Sequence, residues 1–435
     1  MFNLKTVKLF LSEYSWFLGS LLIITTILLI IRWATDILNL DLQYDEKYII
    51  PPILNLINDG WTVENLLDYK ESKGPSLFII YSLLSEVFGN KLNDLRLISL
   101  FLSIFCMLPL LLIGKLCGAK DKDYLLICIC WLLMPYLVIF SQLVMGEISY
   151  LFIAILSIYF FLWGINNQDS WKGYVLSPIA LFILCSIGLH NRLHLVALLG
   201  GICIVAIFKQ GKSSWPWILA CLMALLSRLP LWIYWGGPVN EELQVMHSFG
   251  FRIEGMAYLL AALSVTLTIF LLSSWRIPSV RKWTISAGLL GLVIMFFSEI
   301  NLNSPPNVEW EAPNQFFSGV IATFTKTITD NEILQKTFLM IFTFLGLSGL
   351  LGLFFEAKYT HKKNEKLILE LTFYTLSLGC FLFLFTEGFA FDRYLISWGF
   401  LLPLVWWIVL PNRFLIAQCV LMLLLNANLI WVYLL

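Results

Sequence analysis

The stretch SEYSWFLGSLLIITTILLIIRW occupies residues 12–33 and is mostly apolar. A helix needs about 20 predominantly apolar residues to cross the hydrocarbon core of a bilayer, so this stretch is long enough to span it. It lacks the small-residue cleavage site of a secretory signal peptide. We therefore expect it to be retained as a first transmembrane helix, over about residues 13–34.

The composition of the whole chain extends this prediction. Of its 435 residues, 59% are hydrophobic and only 13% are charged, whereas a soluble chain carries roughly a quarter charged residues. The apolar residues come in successive runs separated by short charged segments, which predicts an all-α polytopic membrane protein. It should form a single domain over 1–435 with about 13 transmembrane helices. The later predicted spans are 93–114, 124–142, 147–164, 174–190, 193–208, 215–234, 256–274, 284–300, 336–355, 367–386, 394–410 and 414–433.

The distribution of charge predicts an orientation. With the N-terminus in the cytoplasm, 16 of the 28 Lys and Arg residues lie inside, against 7 of the 28 acidic residues. This satisfies the rule that short cytoplasmic loops are rich in Lys and Arg. The three long polar stretches, 35–92, 235–255 and 301–335, then share the outer face. A protein whose large loops lie on one side is expected to act on that side.

The first outer stretch begins with an acidic segment, Asp41-Leu-Gln-Tyr-Asp45-Glu46-Lys-Tyr48. Adjacent residues on a helix or strand point in different directions, so Asp45 and Glu46 should have different surroundings. One carboxylate can accept a proton from an attacking hydroxyl while the other holds substrate, a cation or a metal. The alternative is a solvated acidic loop. Residues 48–58 and 75–88 of the same stretch are short and amphipathic, and we expect them to be interfacial helices.

Several ionisable residues lie near the predicted outer ends of spans. A charged side chain is costly in a membrane segment, so its presence there indicates a functional role. A phosphate group at the membrane surface would need cations of this kind. For each Lys or Arg the alternative is a side chain that reaches the lipid headgroups. For Glu147 the alternative is a favourable interaction with the dipole at a helix N-terminus. The group comprises Lys73, Arg96, Glu147, His190, Arg192, His194, Arg228, Glu387, Asp392 and Arg393.

The sequence offers few candidate metal ligands and no cysteine pattern that indicates metal binding or redox chemistry. His190 and His194 have the spacing of one helical face but lie in a predicted turn, and His247 falls in an outer loop near the acidic stretch. No cofactor is indicated with certainty, although an acidic cluster is compatible with a divalent metal. All nine cysteines lie within or beside apolar runs, so we interpret them as small buried hydrophobic residues. No nucleic-acid motif or basic patch is present.

The ordered set of motifs resembles the GT-C class of membrane glycosyltransferases, especially the branch of protein O-mannosyltransferases and lipid A aminoarabinose transferases. These proteins have about a dozen spans and an acidic pair in the first outer loop. Asp45-Glu46 matches that pair. Leu95-Arg96 matches the Arg that opens the second span of these proteins, and Arg393-Tyr394 matches an Arg-Tyr pair found late in their chains. The further matches are Asn58-Asp-Gly60-Trp61, Lys73-Gly-Pro75 and Gly146-Glu147. The resemblance covers about 40–165 and 387–405.

The resemblance implies a transferase that takes a sugar from a polyprenyl-phosphate donor and passes it to a glycan, lipid or protein, with inversion by a single displacement. Asp45 would be the general base, and Glu46 would position the acceptor or a cation. Lys73 and Arg393 would stabilise the phosphate. The other substrate-binding candidates, with weaker claims, are Arg96, Glu147, Arg192 and Tyr394.

Two departures from the family refine this expectation. The chain has Lys-Gly-Pro where the family has Lys-Pro, and no large outer domain follows the last predicted span. The second departure favours a small bacterial sugar transferase in the plasma membrane, in contact with membrane lipids. A lipid-linked sugar flippase or another transporter, and a polysaccharide ligase or polymerase, are the alternatives. Charges at the bilayer midplane on paired broken helices would favour transport.

Overall fold

The computed structural model describes residues 4–69, 71–240, 250–302, 317–385 and 390–434. In these ranges the regular secondary structure is helical apart from two very short strands, and ten helical stretches are long and apolar enough to cross a membrane. The protein is therefore a multi-pass, all-α membrane protein, which confirms the predicted fold class. The ten stretches are Ser15–Ala34, Leu92–Leu116, Glu147–Asn166, Lys172–Leu189, Leu195–Trp235, Ile253–Ser274, Pro278–Phe297, Glu332–Tyr359, Lys363–Phe385 and Asn412–Trp431.

The helices of the N-terminal half include both spans and short elements of the first polar stretch. In chain order they are α1 (Leu4–Ala34), α2 (Glu46–Asn58), α3 (Val63–Leu67), α4 (Pro75–Phe88), α5 (Leu92–Leu116), α6 (Lys122–Leu132), α7 (Leu137–Gln142), α8 (Glu147–Asn166), α9 (Ser177–Leu189), α10 (Leu195–Gln210), α11 (Trp215–Ser227) and α12 (Leu229–Trp235). A wider helical turn over Lys172–Leu176 leads into α9, and a tight turn over Gly211–Ser214 leads into α11.

The second half contains eight further helices: α13 (Ile253–Ser274), α14 (Pro278–Phe297), α15 (Val320–Ile328), α16 (Glu332–Tyr359), α17 (Lys363–Leu382), α18 (Ile396–Gly399), α19 (Leu402–Val409) and α20 (Asn412–Leu434). Strands β1 (Phe317–Ser318) and β2 (Ala390–Phe391) form a two-stranded parallel sheet in which Phe317 is opposite Ala390. Tight turns cover Phe383–Phe385 and Asp392–Leu395.

The described residues form ten long apolar stretches where 13 spans were predicted, because of three local differences. The predicted span 124–142 is divided into α6 and α7, with Pro135 and a left-handed Tyr136 (φ 65°) between them. The predicted span 394–410 is divided into a turn, α18 and α19. The predicted spans 193–208 and 215–234 are continuous with each other through a tight turn. Hydropathy averages over such interruptions and therefore does not detect them.

The helices differ in how much of their surface faces the interior. In α5, α8 and α13 between 67% and 72% of an apolar 18-residue stretch of the helix is buried, whereas in α1, α14 and α20 the buried share is 28%. The first three therefore lie at the centre of the bundle and the second three at its periphery. Close packing in the centre depends on small residues. Gly346 of α16, for example, lies directly against the backbone carbonyl of Leu260 in α13, where no side chain would fit.

The first polar stretch folds onto this bundle. Helix α4 has the bounds predicted for it, and α2 begins two residues before the predicted start. Local signals explain the accuracy for α4: Pro75 is its first residue, where proline is favoured, and Gly89 follows its end with φ 102°. Both helices contact each other, and α4 also packs against α5 and α8. This arrangement places the acidic segment beside the inner helices.

Candidate functional site

Asp45 lies at the N-terminal boundary of α2, where the chain turns sharply. The preceding Tyr44 has φ 46°, a conformation that costs a non-glycine residue energy. The Asp45 side chain is 23% exposed, and its Oδ2 accepts hydrogen bonds from Nζ of Lys73 at 3.1 Å and Nη2 of Arg393 at 3.3 Å. The structure thus brings together three of the predicted site residues, from positions separated by as many as 348 residues.

Lys73 is almost fully buried, with 6% of its side chain exposed. Its Nζ also lies 3.2 Å from Oε1 of Glu71, so one ammonium group is shared between two carboxylates. The backbone carbonyl of Lys73 accepts a hydrogen bond of 2.8 Å from the buried hydroxyl of Tyr69. The main chain and the side chain of Lys73 are therefore both held, and its charge points toward Asp45.

The segment that carries Lys73 is attached to the turn between α9 and α10. The amide of Gly74 donates to the carbonyl of Asn191 at 3.0 Å, and the amide of Ser76 donates to the carbonyl of His190 at 3.2 Å. A Cβ atom at Gly74 would collide with that His190 carbonyl. The close approach explains why glycine stands between Lys73 and Pro75, where the GT-C proteins that the chain resembles have lysine directly before proline.

A second glycine packs against the stem of Lys73. Gly146 has φ 81°, and a Cβ atom there would lie 3.1 Å from Cδ of Lys73. Its left-handed backbone conformation is one that glycine adopts without strain. The residue ends the link between α7 and α8 and leads directly into Glu147. Gly146 therefore allows α8 to begin immediately beside the lysine.

Arg393 reaches Asp45 from the turn that precedes α18. Its side chain is 18% exposed, comparable to that of Asp45. The adjacent Tyr394 packs its ring against His194 (centroids 4.8 Å apart) and Phe383 (5.5 Å). Tyr394 thus lies in an aromatic cluster beside the charged group. Glu387 lies outside the described residues, as does the side chain of Asp392.

Glu46 has an entirely different environment from its neighbour. It is fully buried, and its two oxygens receive hydrogen bonds from Nε (3.0 Å) and Nη2 (2.6 Å) of Arg96, which is also fully buried. The same carboxylate accepts from the amides of Gln43 and Val144, both at 2.9 Å. These contacts suit a residue that fixes the acidic segment more than one that binds an acceptor.

Arg96 uses all of its donor capacity in the protein. Besides Glu46, it donates to the backbone carbonyls of Ile37, Leu40 and Asp41, each at 2.8 Å. A guanidinium group has five N–H donors, and five hydrogen bonds occupy them. The structure therefore places Arg96 as an anchor for residues 37–46, and it does not bring Arg96 into contact with Asp45.

Glu147 and Arg192 form a second buried ion pair, with Oε1 and Nη2 2.6 Å apart. Nη2 of Arg192 also lies 3.4 Å from the carbonyl of Met145. Arg192 interacts electrostatically with both Asp45 and Lys73. The pair therefore lies near the group of Asp45, Lys73 and Arg393 and adds a further cation to its surroundings.

The electrostatics of the group keep its members ionised. Burial alone would raise the pKa of Asp45, but Lys73 and Arg393 outweigh that effect and lower it well below the usual range. Burial alone would lower the pKa of Lys73, but Asp45 and Glu71 hold it above its ordinary value. At neutral pH the site is thus a carboxylate between two cations.

The donor set around Asp45 does not suit a divalent metal. A metal ion bound by Asp45 would have this one carboxylate as a ligand. The nitrogen atoms of two cationic side chains already lie within 3.3 Å of the same carboxylate oxygen. Across the described ranges, no group of three or more His, Cys, Asp and Glu residues has a metal-binding arrangement. His190 places its Nδ1 2.9 Å from the carbonyl of Ser186, and His247 lies outside the described residues. Metal dependence stays a prediction from the sequence.

Two residues of the site were not assigned a role from the sequence. Glu71 shares the charge of Lys73, and Tyr69 holds its backbone. The proximity of both to Lys73 in the chain was the available signal, since a buried cation needs nearby acceptors. All nine cysteines are free thiols; seven are buried, and Cys203 and Cys419 are partly exposed.

No protein-family model matches the chain, and no curated protein or solved structure is significantly similar to it. The resemblance to GT-C transferases consequently rests on the residues and their order. What the structure adds is the convergence of Asp45, Lys73 and Arg393 at one place in a multi-pass membrane protein.

Proposed function

We propose that the protein is a membrane glycosyltransferase that moves a sugar from a polyprenyl-phosphate donor to an acceptor hydroxyl at the outer face of a plasma membrane. The long polar stretches would lie outside and the N-terminus in the cytoplasm. The acceptor would be a glycan, a lipid or a protein. The transmembrane helices supply the setting in which a lipid-bound donor reaches its enzyme by diffusion in the bilayer.

The observation that carries this proposal is the partly exposed carboxylate of Asp45 between two cations. Transfer from a lipid phosphate needs a base for the acceptor and positive charge for the leaving group. Asp45 (23% exposed) supplies the first, and Lys73 with Arg393 (18% exposed) the second. Glu46, although adjacent, is fully buried with Arg96. Only one of the two carboxylates is accessible to a substrate.

The chemical step is a single displacement. The acceptor oxygen attacks the anomeric carbon while the bond from that carbon to the phosphate oxygen breaks. The acceptor proton passes to the carboxylate of Asp45, and the electron pair of the broken bond remains on the phosphate. Lys73 and Arg393 stabilise the charge that develops there. Attack opposite to the leaving group inverts the configuration of the sugar.

The ion pairs also suggest how the base becomes effective. In the structure, Lys73 and Arg393 lower the pKa of Asp45, which makes its carboxylate a weak proton acceptor. A donor phosphate that binds the same cations brings a second negative charge close to Asp45. The phosphate draws the two cations away from Asp45 and adds a nearby negative charge, and each of these effects raises the pKa of Asp45. Donor binding would therefore prepare the base, so that a proton is accepted efficiently only when a sugar is ready for transfer.

The experiment that tests the proposal compares transfer of radiolabelled sugar from membrane polyprenyl-phosphate donors by wild type, Asp45→Asn and Asp41→Asn. Removing a general base lowers rates about 10²–10⁴-fold, so Asp45→Asn should lose transfer by this factor. Asp41, an exposed carboxylate four residues earlier, is the matched control and should retain activity. Unchanged transfer by folded Asp45→Asn would show that Asp45 is not the base.

A lipid-linked sugar transporter is the second candidate, because two predicted spans are interrupted, as in transporters. The break between α6 and α7 faces the region of α18 and α19 across a pocket lined by Met134, Tyr136, Thr266, Leu395 and Leu402 among other residues. The lining residues carry no charge, whereas the charged group lies at Asp45. Movement of lipid-linked sugar across liposomes, without transfer, would favour the transporter.

A further inference from the structure

A second cationic site lies at the junction of α11 and α12. Arg228 is 1% exposed, and its closest hydrogen-bond acceptor is the carbonyl of Pro238, 3.5 Å from Nη2. Its Nε and Nη1 are buried and have no hydrogen-bond partner. No carboxylate within the described ranges forms an ion pair with it. A buried charge without a counter-charge is costly, so the arrangement calls for an anionic ligand.

A second unused donor lies on the same face. Trp232 follows Arg228 by four residues, and its amide donates to the Arg228 carbonyl at 3.1 Å, so one helical turn joins the two. Side chains at this spacing are neighbours. The indole Nε1 of Trp232 is buried and also has no hydrogen-bond partner. The two side chains together present N–H donors and no acceptor, which suits an anion with several oxygen atoms.

Three hydrogen bonds connect this site to the residues that precede Lys73. Tyr234 Oη donates to Asp68 at 2.8 Å, Trp235 Nε1 to the Leu67 carbonyl at 3.0 Å, and Asn240 Nδ2 to the Tyr69 carbonyl at 2.9 Å. Tyr69 in turn donates to the Lys73 carbonyl. The site around Arg228 is thus connected to the segment that carries Lys73 through residues 67–69.

The surroundings of Arg228 indicate the source of the anion. Leu229, Ile233 and Tyr234 of α12 are 44%, 72% and 50% exposed. Because α12 ends an apolar stretch long enough to cross a membrane, we infer that this surface faces lipid. A ligand that reaches Arg228 past α12 comes from the bilayer. Arginine binds phosphate through directed, charge-assisted hydrogen bonds. An arginine that merely reached the headgroups would keep its guanidinium exposed, and Arg228 does not.

We propose that Arg228 and Trp232 form a binding site for a phosphate group carried by a membrane lipid. The phosphate oxygens accept hydrogen bonds from the guanidinium and the indole, and the lipid tails lie along the apolar side of α12. The site is separate from Asp45 and Lys73 and does not depend on the proposed transfer. A lipid held there would stabilise the segment that carries Lys73 through the contacts of α12 with residues 67–69.

The test uses the full chain, purified in a neutral detergent, with three probes. They are phosphatidic acid, diacylglycerol with the same tails, and inorganic phosphate. Native mass spectrometry counts bound lipid, and thermal unfolding measures stabilisation. The variants are Arg228→Met, Trp232→Phe and, as the control, Arg281→Met at an exposed position of α14.

The proposal requires wild type and Arg281→Met to bind phosphatidic acid in preference to diacylglycerol and to unfold at a higher temperature with it. Arg228→Met should lose at least about tenfold in affinity, because a hydrogen bond to a charged group is among the strong ones. It should also unfold no earlier than wild type when lipid is absent, since an apolar side chain replaces an unpaired charge. Trp232→Phe should show a smaller loss of affinity.

Equal binding of phosphatidic acid and diacylglycerol by wild type would overturn the proposal, as would equal phosphatidic acid binding by Arg228→Met and wild type. If Arg228→Met unfolded early, Trp232→Phe would decide alone: unchanged affinity in that variant would count against the site. Stabilisation by inorganic phosphate but not by phosphatidic acid would overturn the lipid as the source. None of these readouts requires sugar transfer.

Discussion

Asp45 and Glu46 are adjacent in the chain, yet the side chain of the first is 23% exposed and that of the second is fully buried. The first residues of a helix point in different directions, so one carboxylate faces the open group of cations and the other faces Arg96. At the scale of single residues, this difference separates a residue that can meet substrate from one that holds the backbone in place.

The pH dependence of the Asp45 pairs follows from the direction of their pKa shifts. The pKa of Asp45 is lowered in the folded state, so its stabilising contribution is complete above the unfolded value of about 3.9 and is lost as pH falls through the folded value. The pKa of Lys73 is raised, so its contribution is complete below about 10.4 and is lost as pH rises through the folded value.

We therefore expect the difference in stability between wild type and Asp45→Asn to be constant from about pH 5 to pH 9 and to shrink only below about pH 4. Thermal unfolding of both proteins in detergent across this range measures it. Asp41→Asn is the control and should show no such difference. A difference that already declined near pH 6 would mean that the carboxylate of Asp45 protonates far too easily for the geometry described.

At the scale of elements, the ion pair of Glu46 and Arg96 connects α2 to α5 and to the link before α8. Removing one partner of a buried pair leaves an uncompensated charge and costs about 3–5 kcal/mol. We expect this loss for Arg96→Met and a similar loss for Glu46→Leu, measured by chemical unfolding. The double variant should lose less than the two single variants together, because they share the interaction.

An exposed pair offers the contrast. Lys362 and Glu365 form an ion pair at 2.7 Å with the lysine 76% exposed, and such pairs contribute about 0–1 kcal/mol. Lys362→Met should therefore change stability little. Strictly additive losses for Glu46→Leu and Arg96→Met would show that the two buried charges do not act as a pair.

The contact between the Lys73 segment and the α9–α10 turn gives a second prediction for the elements. In Gly74→Ala the new methyl group collides with the His190 carbonyl, and overpacking of this kind costs about 1–3 kcal/mol. The displaced segment carries Lys73, so transfer should fall together with stability. Gly19→Ala in α1 has open space around it and should not destabilise the protein, because alanine favours a helix more than glycine does. Full activity of Gly74→Ala would show that Lys73 does not need this support.

Sequence reasoning succeeded where the signal was local and failed where it depended on distant contacts. The bounds of α4 followed from Pro75 and Gly89, and the fold class followed from the long apolar runs. The division of span 124–142 was missed because the break at Pro135 and Tyr136 is itself apolar. The pairing of Glu46 with Arg96 could not be read from either residue, since 50 positions separate them.

At the scale of the whole molecule, the orientation in the membrane remains a prediction from charge. Impermeant maleimide should label Asp59→Cys in intact cells and Lys358→Cys only after permeabilisation; both positions are exposed. The native thiols are buried or partly buried, and the unmodified protein measures their background. The opposite labelling pattern would place Asp45 on the cytoplasmic side and exclude an outer acceptor.

The distance in sequence between Asp45 and Arg393 also affects biosynthesis. A ribosome makes the chain from its N-terminus, so Asp45 and Lys73 enter the membrane long before Arg393, which lies 348 residues after Asp45. Until then the carboxylate has one of its two cations. A nascent chain interrupted anywhere before Arg393 therefore carries an incomplete group, and under the proposed function partial products of translation would not transfer a sugar.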